Sequence, residues 1–306
     1  MTFTKNVFHG LLKVILLVVV TSPAFATTYE HSLGTVEING VPKRVVVLGF
    51  ASLDFVDALG VTPIAMPKSL LPTTLEKYKA DKYVDTGTLQ EVNYETLFTL
   101  KPDLIIAEGR MAKLYPDLAA IAPTYLFQVE AKHYWESTQK HWLNLSKILG
   151  KEEKGAQLIA DIQNRIDKIK QKTQRTPLKV LTAMSNGSNI TSFSPTSRFS
   201  FIYDEAGFMP STSTNVASKN HTHGNLISFE YIADAQPDVL LILDRDQAIG
   251  KASGQAQQLF NNALVNSIPA AKNGRIIYLD TTAWYLAGGG YRSIKQMIFD
   301  LNNAIR

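Results

Sequence analysis

ETLFTLKPDLIIAE (residues 95–108) combines a helix-type interval, a Pro-Asp step and an apolar, β-branched run. Proline disfavours helix at the residue before it, so the pattern predicts a short helix, a turn at Pro102 and a buried strand. The pattern returns as EYIADAQPDVLLIL (residues 230–243), and both Glu230 and Pro237 lie 135 positions (230 − 95) after their counterparts. This constant offset indicates an internal repeat.

Other parts of the chain extend the repeat. Pro42 and Pro177 open the apolar runs PKRVVVLG and PLKVLTAM at the same offset. These runs alternate with helix-type segments, which indicates parallel sheets covered by helices. We therefore predict an α/β fold of two similar lobes with mainly parallel central sheets, spanning residues 27–144 and 175–306.

A long helical segment separates the two lobes. Apolar residues recur at helical spacing through this region, and Gly150 marks one possible break; they are Leu145, Ile148, Leu149, Leu158, Ile159, Ile162, Ile166 and Ile169. We predict an interlobe helix over residues 145–174 that limits hinge travel and leaves a largely preformed cleft. The alternative is a helix that packs on one lobe alone.

The first 26 residues have the pattern of a secretory signal. Lys5 and Lys13 precede or interrupt the apolar run LLKVILLVVV, and Ala24-Phe25-Ala26 offers small residues for cleavage. A transmembrane anchor is the competing interpretation, but the uncharged run after Lys13 is too short to span a bilayer. The chain contains no cysteine, so it offers neither disulfides nor a lipid-attachment site.

Composition and motifs exclude several classes of protein. The formal net charge is +4 and the basic residues are dispersed, which does not indicate a nucleic-acid partner. The sequence has no Gly-x-Ser-x-Gly elbow, no phosphate-binding Gly-rich loop and no His-Glu-x-x-His motif. A secreted enzyme such as an esterase remains an alternative, although it would need an activated serine with a neighbouring base.

His221 and His223 form a His-x-His pair in a polar, loop-like stretch. Such a pair can chelate Zn²⁺ or Cu²⁺, but a zinc site needs further ligands and no acid or histidine cluster adjoins it in sequence. An exposed loop pair is therefore the simpler interpretation of the local sequence.

Three arginines stand at places where ligands gather in α/β proteins. Arg110 and Arg245 follow two predicted strands at the 135-residue offset, and Arg198 follows a third apolar stretch. Trp284 and Tyr285 follow the predicted strand RIIYLD. Each arginine alone could be a surface ion-pair partner, and the aromatic pair could be core packing. Together the arginines would suit an anionic ligand with delocalised oxygens.

The chain resembles the periplasmic ferric-siderophore binding proteins of ABC importers, of the catecholate-binding type. The resemblance is carried by SRFSFIYDEAGF, THGNLISFEYI, PDVLLILDRD, NALVNSIPAAKNGRIIYLD and WYLAGGG. It covers most of the chain after residue 26 and is densest over residues 198–290. It implies the class III periplasmic binding protein fold, a binding protein rather than an enzyme, a monomer and a periplasmic location.

The resemblance also implies roles for individual residues. Arg110, Arg198 and Arg245 would hold the catecholate oxygens, while His223 and Tyr285 could ligate the iron directly. Iron would arrive inside the chelator as cargo, with no permanently bound cofactor. Glu95 and Glu230 would be the acids, one from each lobe, that dock on the inner-membrane permease. Their alternative is that of ordinary first-turn helix acids.

The charges are consistent with this family. Six catecholate oxygens around Fe³⁺ leave a net charge of −3, and four leave −1 with two coordination positions that imidazole and phenolate could fill. The sequence leaves open whether enterobactin or a linear bis-catecholate is the ligand. Rival ligands are haem, with Tyr285 as axial ligand, cobalamin, hydroxamate siderophores and free zinc or manganese.

Overall fold

The computed structural model describes residues 26–212, 224–251 and 254–305. The first lobe begins with an antiparallel hairpin and continues into a five-stranded parallel sheet with the strand order β5-β4-β3-β6-β7. Its elements are β1 (Ala26–His31), β2 (Gly34–Asn39), β3 (Val45–Val47), α1 (Phe50–Ala58), β4 (Ala65–Met66), β5 (Val84–Asp85), α2 (Tyr94–Leu100), β6 (Leu104–Glu108), α3 (Tyr115–Ile121) and β7 (Thr124–Phe127).

Two helices lead from the first lobe to the second. Helix α4 spans Tyr134–Ile148 and helix α5 spans Glu152–Arg175. The predicted connector, residues 145–174, thus corresponds to the last turn of α4, a break and most of α5. The break contains Gly150 at φ +61°, a left-handed conformation that glycine adopts without steric cost. The long helix therefore begins at Glu152.

The second lobe contains a mixed sheet with the order β11-β9-β8-β12-β13, and β10 pairs with the start of β8. Strands β8, β12 and β13 are parallel, whereas β9 and β11 run antiparallel at one edge. Its elements are β8 (Lys179–Asn186), β9 (Asn189–Ser192), β10 (Met209–Pro210), β11 (Asn225–Ile227), α6 (Phe229–Ala235), β12 (Val239–Asp244), α7 (Arg245–Ala248), α8 (Gln255–Phe260), α9 (Ala263–Asn266), α10 (Pro269–Lys272), β13 (Ile276–Tyr278) and α11 (Tyr291–Ala304).

The repeat is visible in the local structure. Helices α2 and α6 begin and end 135 positions apart (229 − 94), each after a capping side chain, Asn93 or Ser228. Both end at a left-handed residue, Lys101 or Gln236. The Asp of each Pro-Asp step then accepts backbone hydrogen bonds at the start of the neighbouring strand. One local sequence therefore builds the same helix-turn-strand unit twice.

The apolar core joins the two lobes. Its largest cluster runs from the first sheet through α4, α5 and α11 into the second sheet. Leu158, Ile162, Ile166 and Ile169 supply the buried face of α5. Because this face packs against α4 and α11, the lobes share one core. The α/β prediction is confirmed, and no helix in the described ranges is long and apolar enough to cross a bilayer.

Candidate functional site

A cavity of about 780 Å³ opens where the two lobes meet. Its walls come from the ends of β6 and β7, the start of α4, the loop after β9 and the segment between β13 and α11. Apolar side chains cover much of the wall, namely Phe127, Val129, Trp284, Leu286 and Met297. A cavity of this size with few convergent polar groups is typical of a small-molecule site.

The three predicted arginines converge on Tyr285. Arg110 Nη2 donates to the Tyr285 carbonyl at 2.7 Å, and Arg198 Nη2 donates to the same oxygen at 3.0 Å. Arg245 Nε donates to the phenol oxygen at 3.1 Å. Arg110 comes from the first lobe and the other two come from the second. The structure therefore brings guanidinium groups from both lobes around one tyrosine.

Two of these guanidinium groups also lie close to the Tyr285 ring. The guanidinium carbons of Arg198 and Arg110 are 4.6 and 5.3 Å from the ring centroid. Burial and then the charge of Arg110 lower the pKa of Arg198. Because an arginine remains protonated at neutral pH even so, the site concentrates positive charge where water is partly excluded. Such a site favours an anion.

Trp284 and Tyr285 lie in a π-helical turn, Thr282–Leu286, a conformation that recurs at functional sites. Trp284 is buried, stacks on Phe199 and donates from Nε1 to Asp300 Oδ2 at 2.9 Å. These contacts fix the turn. Trp284 is buried and also forms part of the cavity wall. Tyr285 is only partly buried and faces the arginines.

The sequence analysis missed several polar side chains of the cavity, among them Glu108 and Tyr134. Glu108 accepts from the Ser52 amide at 2.7 Å and from its hydroxyl at 2.8 Å, and burial raises the pKa of this carboxyl. Tyr134 is buried, its hydroxyl faces Met297 Sδ at 3.6 Å, and burial raises the pKa of the phenol. The signal for Glu108 was its place at the end of an apolar strand, two residues before Arg110.

The predicted iron ligand His223 and its neighbour His221 lie outside the described residues. Within those residues, no group of three or more histidine or carboxylate side chains could hold a metal ion. Direct iron ligation by His223 and Tyr285 stays a prediction.

Glu95 and Glu230 are exposed in the first turns of α2 and α6. The Ser228 side chain donates to Glu230 and lowers the pKa of its carboxyl. Phe98 lies one turn after Glu95 and is 73% exposed, which is unusual for phenylalanine. The two acids thus occupy equivalent places on the two lobes.

Known proteins are similar to this chain in both sequence and architecture. The petrobactin-binding protein YclQ of Bacillus subtilis is 39% identical over 283 residues, covering 91% of this chain and 88% of that protein. The ferric-anguibactin-binding protein FatB of Vibrio anguillarum is 34% identical, covering 89% and 85%.

Solved structures of siderophore-binding proteins are similar to this chain as well. The periplasmic catecholate-siderophore binding protein VctP from Vibrio cholerae has a TM-score of 0.86 and 41% identity, covering 91% of this chain and all of that one. Solved YclQ has a TM-score of 0.87 and 37% identity, covering 92% and 99%. The family model described as "Periplasmic binding protein" matches residues 45–283. This chain is therefore a member of the periplasmic binding protein family, with the class III fold of its relatives.

Proposed function

We propose that this protein captures a ferric catecholate siderophore outside the cytoplasm and delivers it to an ABC importer in the inner membrane. The observation that carries the proposal is the convergence of three arginines on Tyr285: Arg110 and Arg198 line the interlobe cavity with it, and Arg245 contacts its phenol oxygen from outside the cavity wall. Relatives named for petrobactin, ferric anguibactin and catecholate siderophores support the same ligand class.

The chemistry of the chelate matches the cavity. A ferric complex with six catecholate oxygens carries −3, spread over oxygens that planar guanidinium groups recognise in pairs. On binding, the chelate would accept from the guanidinium N–H groups of Arg110 and Arg198 that the Tyr285 carbonyl does not use. The apolar walls would cover the catechol rings, as in other small-molecule sites.

Tyr285 gives the site a second capability. With four catecholate oxygens, Fe³⁺ keeps two open positions, and the Tyr285 phenolate and the His223 imidazole would fill them. Arg245 Nε donates to the phenol oxygen at 3.1 Å and would orient it toward the iron. The protein would then bind linear bis-catecholates as well as tris-catecholates such as enterobactin.

Glu95 and Glu230 would guide transfer to the permease. Both are exposed at equivalent places on the lobes, where two basic sites of a membrane partner could meet them. The Glu95→Arg and Glu230→Arg variants should abolish siderophore uptake by cells and leave chelate binding by the purified protein intact. Uptake at the wild-type rate by the double variant would exclude this docking role.

We also propose the processing, location and domain bounds of this protein. Residues 1–26 would be a cleaved signal peptide and the mature protein a periplasmic monomer, with lobes over residues 27–144 and 175–306. The protein would be a carrier and not an enzyme, as its family and relatives are binding proteins. Release of intact siderophore after incubation would support this, whereas time-dependent breakdown would favour an esterase.

Titration of the purified protein tests the proposal. Ferric enterobactin and a ferric bis-catechol analogue should each quench tryptophan and tyrosine fluorescence saturably. The rivals have their own signatures: a Soret band on adding haem, quenching by a ferric hydroxamate or cobalamin, or tight Zn²⁺ uptake without chelator. Absence of saturable quenching by both catecholates would overturn the proposal.

A further inference from the structure

Three consecutive glycines, Gly288–290, follow the Tyr285 turn and lie directly on the first lobe and α4. A Cβ atom added to Gly289 would lie 2.6 Å from Val129, and one added to Gly290 would lie 2.5 Å from Asp54 Oδ2. One added to Gly288 would lie 3.2 Å from the Tyr134 hydroxyl. The backbone of the second lobe thus approaches the first more closely than any side chain would allow.

Hydrogen bonds fix this segment, which we call the glycine joint. Trp142 Nε1, fully buried on α4, donates to the Gly289 carbonyl at 2.9 Å. Asp54 on α1 accepts from the amides of Arg292 and Ser293 at 2.7 and 3.0 Å, which caps the start of α11. A helix of the first lobe therefore supplies the cap of a helix of the second.

An ion pair strengthens the cap. Arg292 Nη1 donates to Asp54 Oδ1 at 2.7 Å, and Nη2 donates to Asp57 Oδ2 at 2.7 Å. Burial raises the pKa of the Asp54 carboxyl against the opposing effect of Arg292. A buried carboxylate without its cation is strongly destabilising, so separation of α1 from α11 is opposed here.

The contacts hold the second-lobe segment at both ends. Arg110 binds the Tyr285 carbonyl before the glycines, and Asp54 binds Arg292 after them. Tyr285 belongs to the second lobe, and its turn is held within that lobe by Trp284 and Asp300. The first lobe adds a direct contact through Arg110.

We propose that Asp54, Trp142 and the glycine joint are the positioning elements of the ligand site: they hold Tyr285 at a fixed place between the arginines. The inference rests on the proposed function insofar as Tyr285 contacts the chelate. It adds that this contact depends on residues that never touch the ligand.

The test compares Gly290→Ala with Gly274→Ala. Gly290 has φ −77°, so alanine there adds no backbone strain and acts through its contact with Asp54 alone. Gly274 has φ +66° and open space around it, so its alanine adds strain without a contact. The control therefore strains the backbone more than Gly290→Ala does, but it leaves the glycine joint unchanged.

Spin labels report the interlobe distance without any ligand. The chain has no cysteine, so Lys82→Cys on the first lobe and Lys272→Cys on the second, both exposed, give one labelled pair. Gly290→Ala should shift or broaden the distance distribution, and Gly274→Ala should reproduce the parent. If Gly290→Ala does not fold, Asp54→Asn, which keeps one acceptor oxygen for the α11 amides but loses the charge facing Arg292, should broaden the distance distribution.

Binding supplies the second readout. Gly290→Ala should weaken the four-oxygen chelate roughly tenfold and the six-oxygen chelate less, which is the ratio expected when Tyr285 is displaced. Unchanged distances and affinities in a folded Gly290→Ala protein, or in Asp54→Asn, would overturn the inference. Failure of the parent protein to bind any chelate would instead overturn the proposed function, while the label distances would still test the joint.

Discussion

The two lobes share a helix-turn-strand unit but use it differently at the cavity. Arg110 and Arg245 occupy equivalent places after β6 and β12, and they bind opposite ends of Tyr285, the carbonyl and the phenol. Arg198 belongs to the second lobe alone, since the position 135 residues earlier is Pro63. The repeat thus supplies a symmetric scaffold, and loops outside it supply an asymmetric site.

The asymmetry extends to the sheets. All paired strands of the first sheet are parallel, whereas β9 and β11 add an antiparallel edge to the second. The loop after β9 places Arg198, Ser194, Thr196 and Ser197 in the cavity wall. Both lobes therefore supply polar side chains to the wall, but the second lobe supplies its share from a loop next to its antiparallel edge.

The largest expected effect is a loss of folding stability in acid, and it comes from a histidine of the first lobe. Buried His141 accepts from the Tyr125 hydroxyl at 2.7 Å and donates to the Gln128 carbonyl at 2.9 Å, and burial lowers its pKa from 6.5 to about 4. The unfolded chain then takes up the proton first, so stability is full above pH 6.5 and falls as pH drops toward 4. The expected loss is about 3 kcal/mol.

Urea unfolding at pH 7 and at pH 4.5 measures this loss. The His141→Gln variant should show a weaker pH dependence, and the exposed His133→Gln control should match wild type. The described part of the second lobe contains no histidine. An unchanged pH dependence in His141→Gln would assign acid sensitivity to other groups.

Arg198, which has no counterpart in the first lobe, should contribute most to binding of the chelate. Arg198 is the more buried of the two guanidinium groups at the Tyr285 carbonyl, so Arg198→Met should cost about 2 kcal/mol, or roughly thirtyfold in affinity for ferric enterobactin. Arg110→Met should lose less because Arg110 is exposed and solvent screens its charge more, and Arg245→Met should lose less because Arg245 does not line the cavity. Fluorescence titration compares the three with Arg175→Met at the exposed end of α5. Equal losses at all three arginines would contradict the proposed asymmetry.

Tyr285→Phe should separate the two classes of chelate. The affinity for the four-oxygen chelate should fall about tenfold, because an iron position loses its phenolate, while the six-oxygen chelate should lose less than about twofold. His223→Ala should act in the same direction. Parallel titrations with Tyr94→Phe as control provide the measurement. Equal losses for both chelates would argue against direct ligation.

The two Pro-Asp steps offer the finest comparison. Asp103 accepts from the amides of Lys43 and Arg44, each at 2.8 Å, whereas Asp238 accepts from the Lys179 amide at 2.9 Å. Asp103→Ala should therefore destabilise the protein by about 1 kcal/mol more than Asp238→Ala. Chemical denaturation with the exposed Asp81→Ala as control measures the difference. The reverse order would show that strand packing outweighs these hydrogen bonds.

Much of the fold could be predicted because its signals are local. The Pro-Asp steps, the β-branched runs and the 135-residue offset lie within short windows, and hydrophobic periodicity marked the buried face of α5. The first residue of that helix was harder to predict, because α4 and α5 form one continuous apolar pattern and Gly150 alone marks the break. The close approach of Gly288–290 to the first lobe and α4 had no local signal, because the residues they contact are distant in sequence.

Local patterns in the chain specify an α/β protein with two related units, a long connecting helix and three arginines at strand ends or in loops. Long-range packing brings these arginines together at Tyr285, places Glu108 and Tyr134 in the same cavity, and lets Asp54 cap α11. The reason is physical: periodicity and turn chemistry act between near neighbours, whereas these contacts join residues up to 239 positions apart and exist once both lobes share a core.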